Sequence, residues 1–273
     1  MKIAVITTSD KPTSKSSVVR EAALMLSEKG AVVEMLNPEE RALDLANIRV
    51  EYDLYILKSS SQSAISFAGL LHLAGASLLN PYPVVAMMKD KVLATRILQT
   101  ADVPLPETFM AAHPKQLVEL LAGGPLVVKP YWGGSQGRGV RIIEKPEEII
   151  AIEADQGLIF AQRYHKPDGR DHKIYCIGGQ IFGVMRVWPA RTLEDKLGEP
   201  FAVSPEMSEI TLRCGRAFGI DLFGLDIIVS DGHPYVVDIN TFPGFKGVPD
   251  AARLLADYIE SAAGRALQQK TET

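Results

Sequence analysis

Asp238 and Asn240 stand two residues apart in PYVVDINTFPGFKGVP, Pro234 to Pro249. The apolar residues around them, Tyr235-Val236-Val237 and Ile239, read as a buried strand. Residues i and i+2 of a strand project from one face, so the acid and the amide share a target. A carboxylate buried there alone would be heavily penalised, and a cation is therefore expected opposite it. Upstream, LFGLDIIVSDGHPYVVDIN reads as a hairpin turning at Asp231-Gly232. A three-residue loop ending in a left-handed Gly232 would bring Asp226 onto the face of Asp238 and Asn240. Three such oxygen donors suit Mg2+, or Mn2+ in its place: a hard ion held by few carboxylates and by substrate phosphates.

A second pattern, LVVKPYWGGSQGRGVRII, is strand, glycine loop, strand. It lacks GK[ST] and no helix follows it, so neither a Walker loop nor a dinucleotide fingerprint is present. A glycine-rich hairpin lid over a triphosphate fits better. Gly133, Gly134, Gly137 and Gly139 would let backbone N–H groups approach phosphate oxygens, with the Lys129 ammonium beside them. In LIFAQRYH, an apolar strand runs into Gln162-Arg163-Tyr164, where backbone groups can read a purine edge. Lys173 in DHKIY and Arg186 in GVMRVW are cations on apolar strands, suited to a phosphoryl group in transfer.

Strand alternates with helix from Lys2 to about Leu73, which predicts a small parallel sheet. No GxGxxG follows its first strand. NPYPVV marks a boundary near residue 85, followed by a helix starting at Lys89 or Asp90. The middle region predicts a helix over 114–121 and antiparallel strands LVVK, VRII and LIFAQ, with a helix over 146–154. The last third predicts a hairpin turning at Gly178-Gly179, a helix over 205–218, the acid-bearing hairpin, and a helix over 250–267.

The composition is close to that of an average globular protein. The 273 residues carry 29 basic and 33 acidic side chains, a net charge of -4 that argues against a nucleic-acid partner. No 18-residue apolar run or signal-peptide pattern occurs, which predicts a cytoplasmic chain with no membrane partner. The two cysteines, Cys176 and Cys214, lack ligand spacing and read as buried thiols.

With these pieces in order, the chain resembles the ATP-grasp superfamily over essentially its full length. The resemblance implies an α/β and α+β fold: a Rossmann-like pre-ATP-grasp domain over 1–86, a middle lid domain over 87–162, and a C-terminal domain over 163–273 with the metal site. It assigns ATP to Lys91 in KDK, to Lys129 in VVKP, and to the lid GGSQGRGV with Gly133, Gly134, Ser135, Gly137 and Gly139. Gln162, Arg163 and Tyr164 become the adenine hinge, and Asp226, Asp238 and Asn240 the metal ligands. RimK-type amino-acid ligases are similar in layout, though they usually carry Glu-x-Asn where this chain has Asp238-Ile239-Asn240. The DLFGLDII and DINTFPGFKGVP segments also resemble inositol-phosphate kinases. The resemblance thus implies a carboxylate–amine ligase acting through an acylphosphate on an amino acid or peptide. A kinase of a small polyol phosphate and a non-catalytic nucleotide-binding module are the alternatives, and homo-oligomerisation is compatible with each. Arg186 and Lys173 are the expected catalytic cations, and Arg191, Lys196 and Lys246 the basic residues available to an anionic acceptor.

Overall fold

The computed structural model describes residues 1–8, 17–132, 139–150, 157–187 and 197–271. Its first sheet is parallel, in the order β2-β1-β3-β4: β1 Lys2–Ile6, β2 Val32–Leu36, β3 Leu54–Leu57 and β4 Leu78–Leu79. Helix α1, Val18–Glu28, is capped by the Ser17 hydroxyl, and α2, Gln62–Leu73, by that of Ser61. Helix α3, Tyr82–Lys89, spans residue 85. Pro83 does not break this helix, because it sits in the first turn, where its missing N–H costs nothing. Asp90 ends α3 and caps α4, Lys91–Thr100, its carboxylate accepting from the Val92 and Leu93 amides.

The second sheet is antiparallel, as expected, in the order β5-β8-β6-β7: β5 Thr108–Ala111, β6 Leu126–Pro130, β7 Arg141–Ile143 and β8 Ile159–Arg163. The helix expected over 114–121 is two 3-10 turns, Pro114–Leu117 and Glu119–Gly123. The short helix α5 is described over Pro146–Ile150, and the rest of the stretch expected to 154 lies outside the described residues.

The third sheet, order β11-β10-β9-β12-β13, positions the site. It comprises β9 Arg170–Ile177, β10 Gln180–Val187, β11 Glu199–Phe201, β12 Leu222–Ser230 and β13 His233–Asn240. Helix α6, Pro205–Phe218, and α4 cover one face, burying both free cysteines. The other face meets the long helix α7, Ala251–Thr271, and the first sheet.

The acid-bearing hairpin departs from expectation. Its loop has two residues, Asp231 and Gly232, both at positive φ (51° and 80°), with Ser230 paired to His233. Continued unbroken, that ladder would set Asp226 opposite Val237 and turn Asp238 to the far face. A β-bulge corrects the parity: Ile227 pairs with Val236, but Asp226 pairs with Asp238, and Val237 is the extra residue. The acids therefore share a face as expected, by a bulge instead of an odd loop.

Asn80 joins the first sheet to this hairpin. Its buried amide donates to the Leu222 and Thr241 carbonyls, both at 2.7 Å, where the β12–β13 ladder ends. Asn80→Asp would replace two donors by a carboxylate facing two carbonyl oxygens. Urea unfolding should show a loss of about 2–4 kcal/mol; a loss below about 0.5 kcal/mol would mean the joint carries no stability.

Candidate active site

Reading across the third sheet, Asp238 pairs with Asp226, Asp226 with Lys173, and Lys173 with Val184. The neighbouring row runs Asn240, Gly224, Tyr175, Phe182, and Asp171 lies opposite Arg186. Asp238, Asn240, Asp226, Asp171, Lys173, Tyr175 and Arg186 thus occupy one face. The cations expected opposite the acids are present. The Lys91 ammonium lies 3.1 Å from Asp238, and that of Lys173 lies 2.5 Å from Asp226 and 3.3 Å from Asp171.

The electrostatics follow from crowding. Surrounding protein raises the Asp226 carboxyl above its usual range, with Asp171 and Asp238 adding to that and Lys173 opposing it. This holds although 38% of the side chain remains open to solvent. Burial works against the Lys173 ammonium, but Asp226 and Asp171 outweigh it and hold its pKa above the usual value. Among the described residues no three His, Cys, Asp or Glu side chains gather closely enough to hold an ion. Two paired carboxylates with an amide nearby fit Mg2+, which draws its remaining ligands from water and phosphate.

Lys129 reaches the same place from the second sheet. Its ammonium donates to the Gln162 amide oxygen at 2.8 Å and to the Val237 carbonyl at 2.9 Å. Val237 is the bulge residue, so the distortion that aligns the acids also offers this lysine an acceptor. Burial lowers the Lys129 pKa to about 8, against the pull of Asp238 and with the push of Lys91. The Lys91 amide donates to the Tyr131 carbonyl at 3.0 Å, and Asp90 bridges to Trp132, which fixes the start of α4 beside the end of β6.

Other expected residues stand differently. Gln162 is buried and committed to Lys129 and Thr108. The Arg163 guanidinium turns away to the Leu120 and Gly124 carbonyls, and the Arg163 and Tyr164 amides donate to Glu107 and Pro125. Both of those amides are therefore committed to backbone carbonyls, so a purine contact at the expected hinge falls to other backbone groups. Gly139 has φ 78°, and a Cβ would come within 2.8 Å of Pro130, which accounts for glycine where the lid rejoins β7. Gly133, Gly134, Ser135, Gly137, Arg191 and Lys196 lie outside the described residues. Arg186 donates to the Tyr175 hydroxyl at 3.0 Å, while its buried Nε has no partner among the described residues. Asn240 sits exposed at the end of β13.

Sequence reasoning missed Asp171, Tyr175 and Lys58. The first two were legible, as alternate residues of the strand bearing Lys173. Lys58 follows β3 and donates to the Phe242 and Pro243 carbonyls, both at 2.9 Å. No local pattern announces a contact across so much chain.

Residues 88–259 match the RimK-like ATP-grasp domain family. A relative named probable alpha-L-glutamate ligase 1, from Shewanella amazonensis, is 28% identical, covering 98% of this chain and 98% of its own. Among solved structures, a RimK domain ATP-grasp protein from Sphaerobacter thermophilus superposes with TM-score 0.75 at 17% identity, over 95% of this chain and 100% of that one. The ATP-grasp ligase PsnB, complexed with a minimal precursor, Mg and ADP, gives TM-score 0.69 at 17% identity, over 96% of this chain and 97% of that one. Among the described residues no helix is long and apolar enough to cross a membrane.

The depressed Lys129 pKa is open to measurement. Burial favours the neutral amine, so Lys129 is charged below about 8 and neutral above it. Trace acylation followed by peptide mass spectrometry should place its half-maximal reactivity near pH 8, against about 10.4 for an ordinary lysine. Asp238→Asn removes a charge that favours the ammonium, and should move that midpoint lower. A midpoint above about 10, or one unmoved in the variant, would contradict the geometry given for this lysine.

Proposed function

The chain belongs to the RimK-like ATP-grasp family, and from that premise we propose how its residues divide the work of an ATP-dependent carboxylate–amine ligase. The observation that carries the proposal is the convergence of Lys91 and Lys129 on the strand bearing Asp238. In the resting protein Lys91 neutralises the Asp238 carboxylate, and Lys129 donates to the bulge carbonyl. With nucleotide present they turn to the phosphates, and Asp226, Asp238 and Asn240 are left to hold Mg2+, which would offset phosphate charge. Lys173 keeps Asp226 and Asp171 in place and is better described as a positioning residue than as a catalytic one.

The chemistry then needs position and charge more than covalent participation. An oxygen of the acceptor carboxylate attacks the γ-phosphorus, and the bond to the ADP oxygen breaks. Arg186, fixed by the Tyr175 hydroxyl and with Nε unpaired, is placed to receive negative charge on the moving phosphoryl group. The amine nitrogen next attacks the acyl carbon of the acylphosphate, phosphate leaves with the C–O bond electrons, and the nitrogen loses its proton. An amino acid or a peptide terminus would serve as the acid. The relative's name makes L-glutamate the first compound to try as acid and as amine.

Three outcomes test this division. Asp238→Asn should fold normally and lose turnover by about 100-fold or more, since it removes a charge without volume. Arg186→Ala should retain nucleotide affinity, measured by equilibrium binding, while its turnover falls by a comparable factor. Incubation with ATP, the acid and hydroxylamine should trap the acylphosphate as a hydroxamate, with ADP and phosphate formed in equal amounts. A stable phosphorylated product without hydroxamate would replace the ligase by the kinase alternative.

A further inference from the structure

The N-terminal sheet has a feature that the nucleotide chemistry leaves unused. Its strands are parallel, and in open sheets of this kind ligands bind beyond the carboxyl ends of the strands. At that edge lie Lys58, after β3, and a hydroxyl pair, Thr8 with Ser59, at 2.6 Å. Facing them is the Phe242–Pro243 turn, whose two carbonyls accept from Lys58, with the Phe242 ring 5.0 Å from its ammonium. Lys89, from the end of α3, and Lys246, beyond the turn, add like charge around Lys58. Burial, then Lys89 and Lys246, lower the Lys58 pKa to about 8. Among the described residues none of the three makes an ion pair with a carboxylate, and the acid that Lys89 senses, Asp238, is already held by Lys91. Carbonyl dipoles orient an ammonium but cannot neutralise it, and a largely enclosed cation without a counter-ion is costly. An anion from outside would relieve that cost.

We propose that Lys58, Lys89 and Lys246, with the Thr8–Ser59 hydroxyls, form a site for a carboxylate of the substrate other than the one that is activated. The site selects a di-acid over its mono-acid counterpart. Lys89 ends α3, one residue before the Asp90 that caps α4 and two before the Lys91 that pairs with Asp238. A di-acid would place one carboxylate among the lysines and extend the other toward the acid pair. The identity of the anion as a substrate group rests on the ligase reading; the existence of an anion site does not.

The test therefore uses a probe that needs neither ATP nor turnover. Calorimetric titration with glutarate, and with neutral glutaramide as control, is made at fixed ionic strength on the full chain. Wild type should bind glutarate and not the diamide. Lys246→Gln, at an exposed position where folding is not at risk, should weaken glutarate by about tenfold or more. Lys58→Met, checked for native circular dichroism, should do the same. Failure of glutarate to bind wild type, or equal affinity in wild type and Lys246→Gln, overturns the site. Binding that the variants abolish, in a chain that forms no hydroxamate from any acid, keeps the site and removes the ligase reading instead.

Discussion

Two carboxylates side by side on one sheet face cannot both remain charged without cations close by, and the whole site answers that constraint. Asp226 and Asp238 are directly opposed across β12 and β13, and each has its own lysine, Lys173 from the neighbouring strand and Lys91 from the start of α4. Lys173 is fixed to the same sheet as its partner, whereas Lys91 comes from a helix held against the end of β6 by backbone bonds. The two pairs therefore differ in use. The first is internal to a sheet and keeps the acid in place. The second crosses between elements, so the charge it holds can be given up to a ligand that brings its own cation and anions.

The bulge at Val237 ties this charge row to the second sheet. One extra residue in β13 sets Asp238 beside Asp226, and it also releases a carbonyl from the ladder, which Lys129 takes. Gln162 accepts from the other side of that ammonium and is itself held by Thr108. A single backbone irregularity thus places an acid on the third sheet and a cation from the second within one small space. Its cost is one interrupted ladder position, partly offset by the new bond.

What the sequence disclosed follows the physics of local pattern. Alternation puts Asp238 and Asn240 on one face, and Lys129 before a glycine loop stands out against apolar neighbours; both were legible. The bulge was not, because Val237 is an ordinary strand residue and only counting pairs from a known turn reveals the extra one. A three-residue loop gave the right face for Asp226 by a different route, since either device changes the same parity. Nothing in the sequence shows that folding spends the Arg163 and Tyr164 amides on the Glu107 and Pro125 carbonyls. The helix expected over 114–121 broke into 3-10 turns, where the Gln116 amide satisfies the Ala112 and His113 N–H groups and closes a tight turn. Lys58 was invisible for a simpler reason: the carbonyls it meets lie 184 and 185 residues away.

Those distant contacts decide how the N-terminal sheet takes part in the site. Asn80 grips the carbonyls at the end of the β12–β13 ladder, and Lys58 grips the two carbonyls that follow Thr241. Together they fasten the segment leaving Asn240 to the edge of the first sheet. A carboxamide makes the first joint, and it is neutral and buried. An ammonium makes the second, and it sits at the sheet edge with like charge around it. If both joints were only structural, two amides would serve with less electrostatic strain. Keeping a lysine at the edge and an amide in the interior confines the charge to the rim of the sheet, and leaves the interior joint neutral and indifferent to what the rim binds.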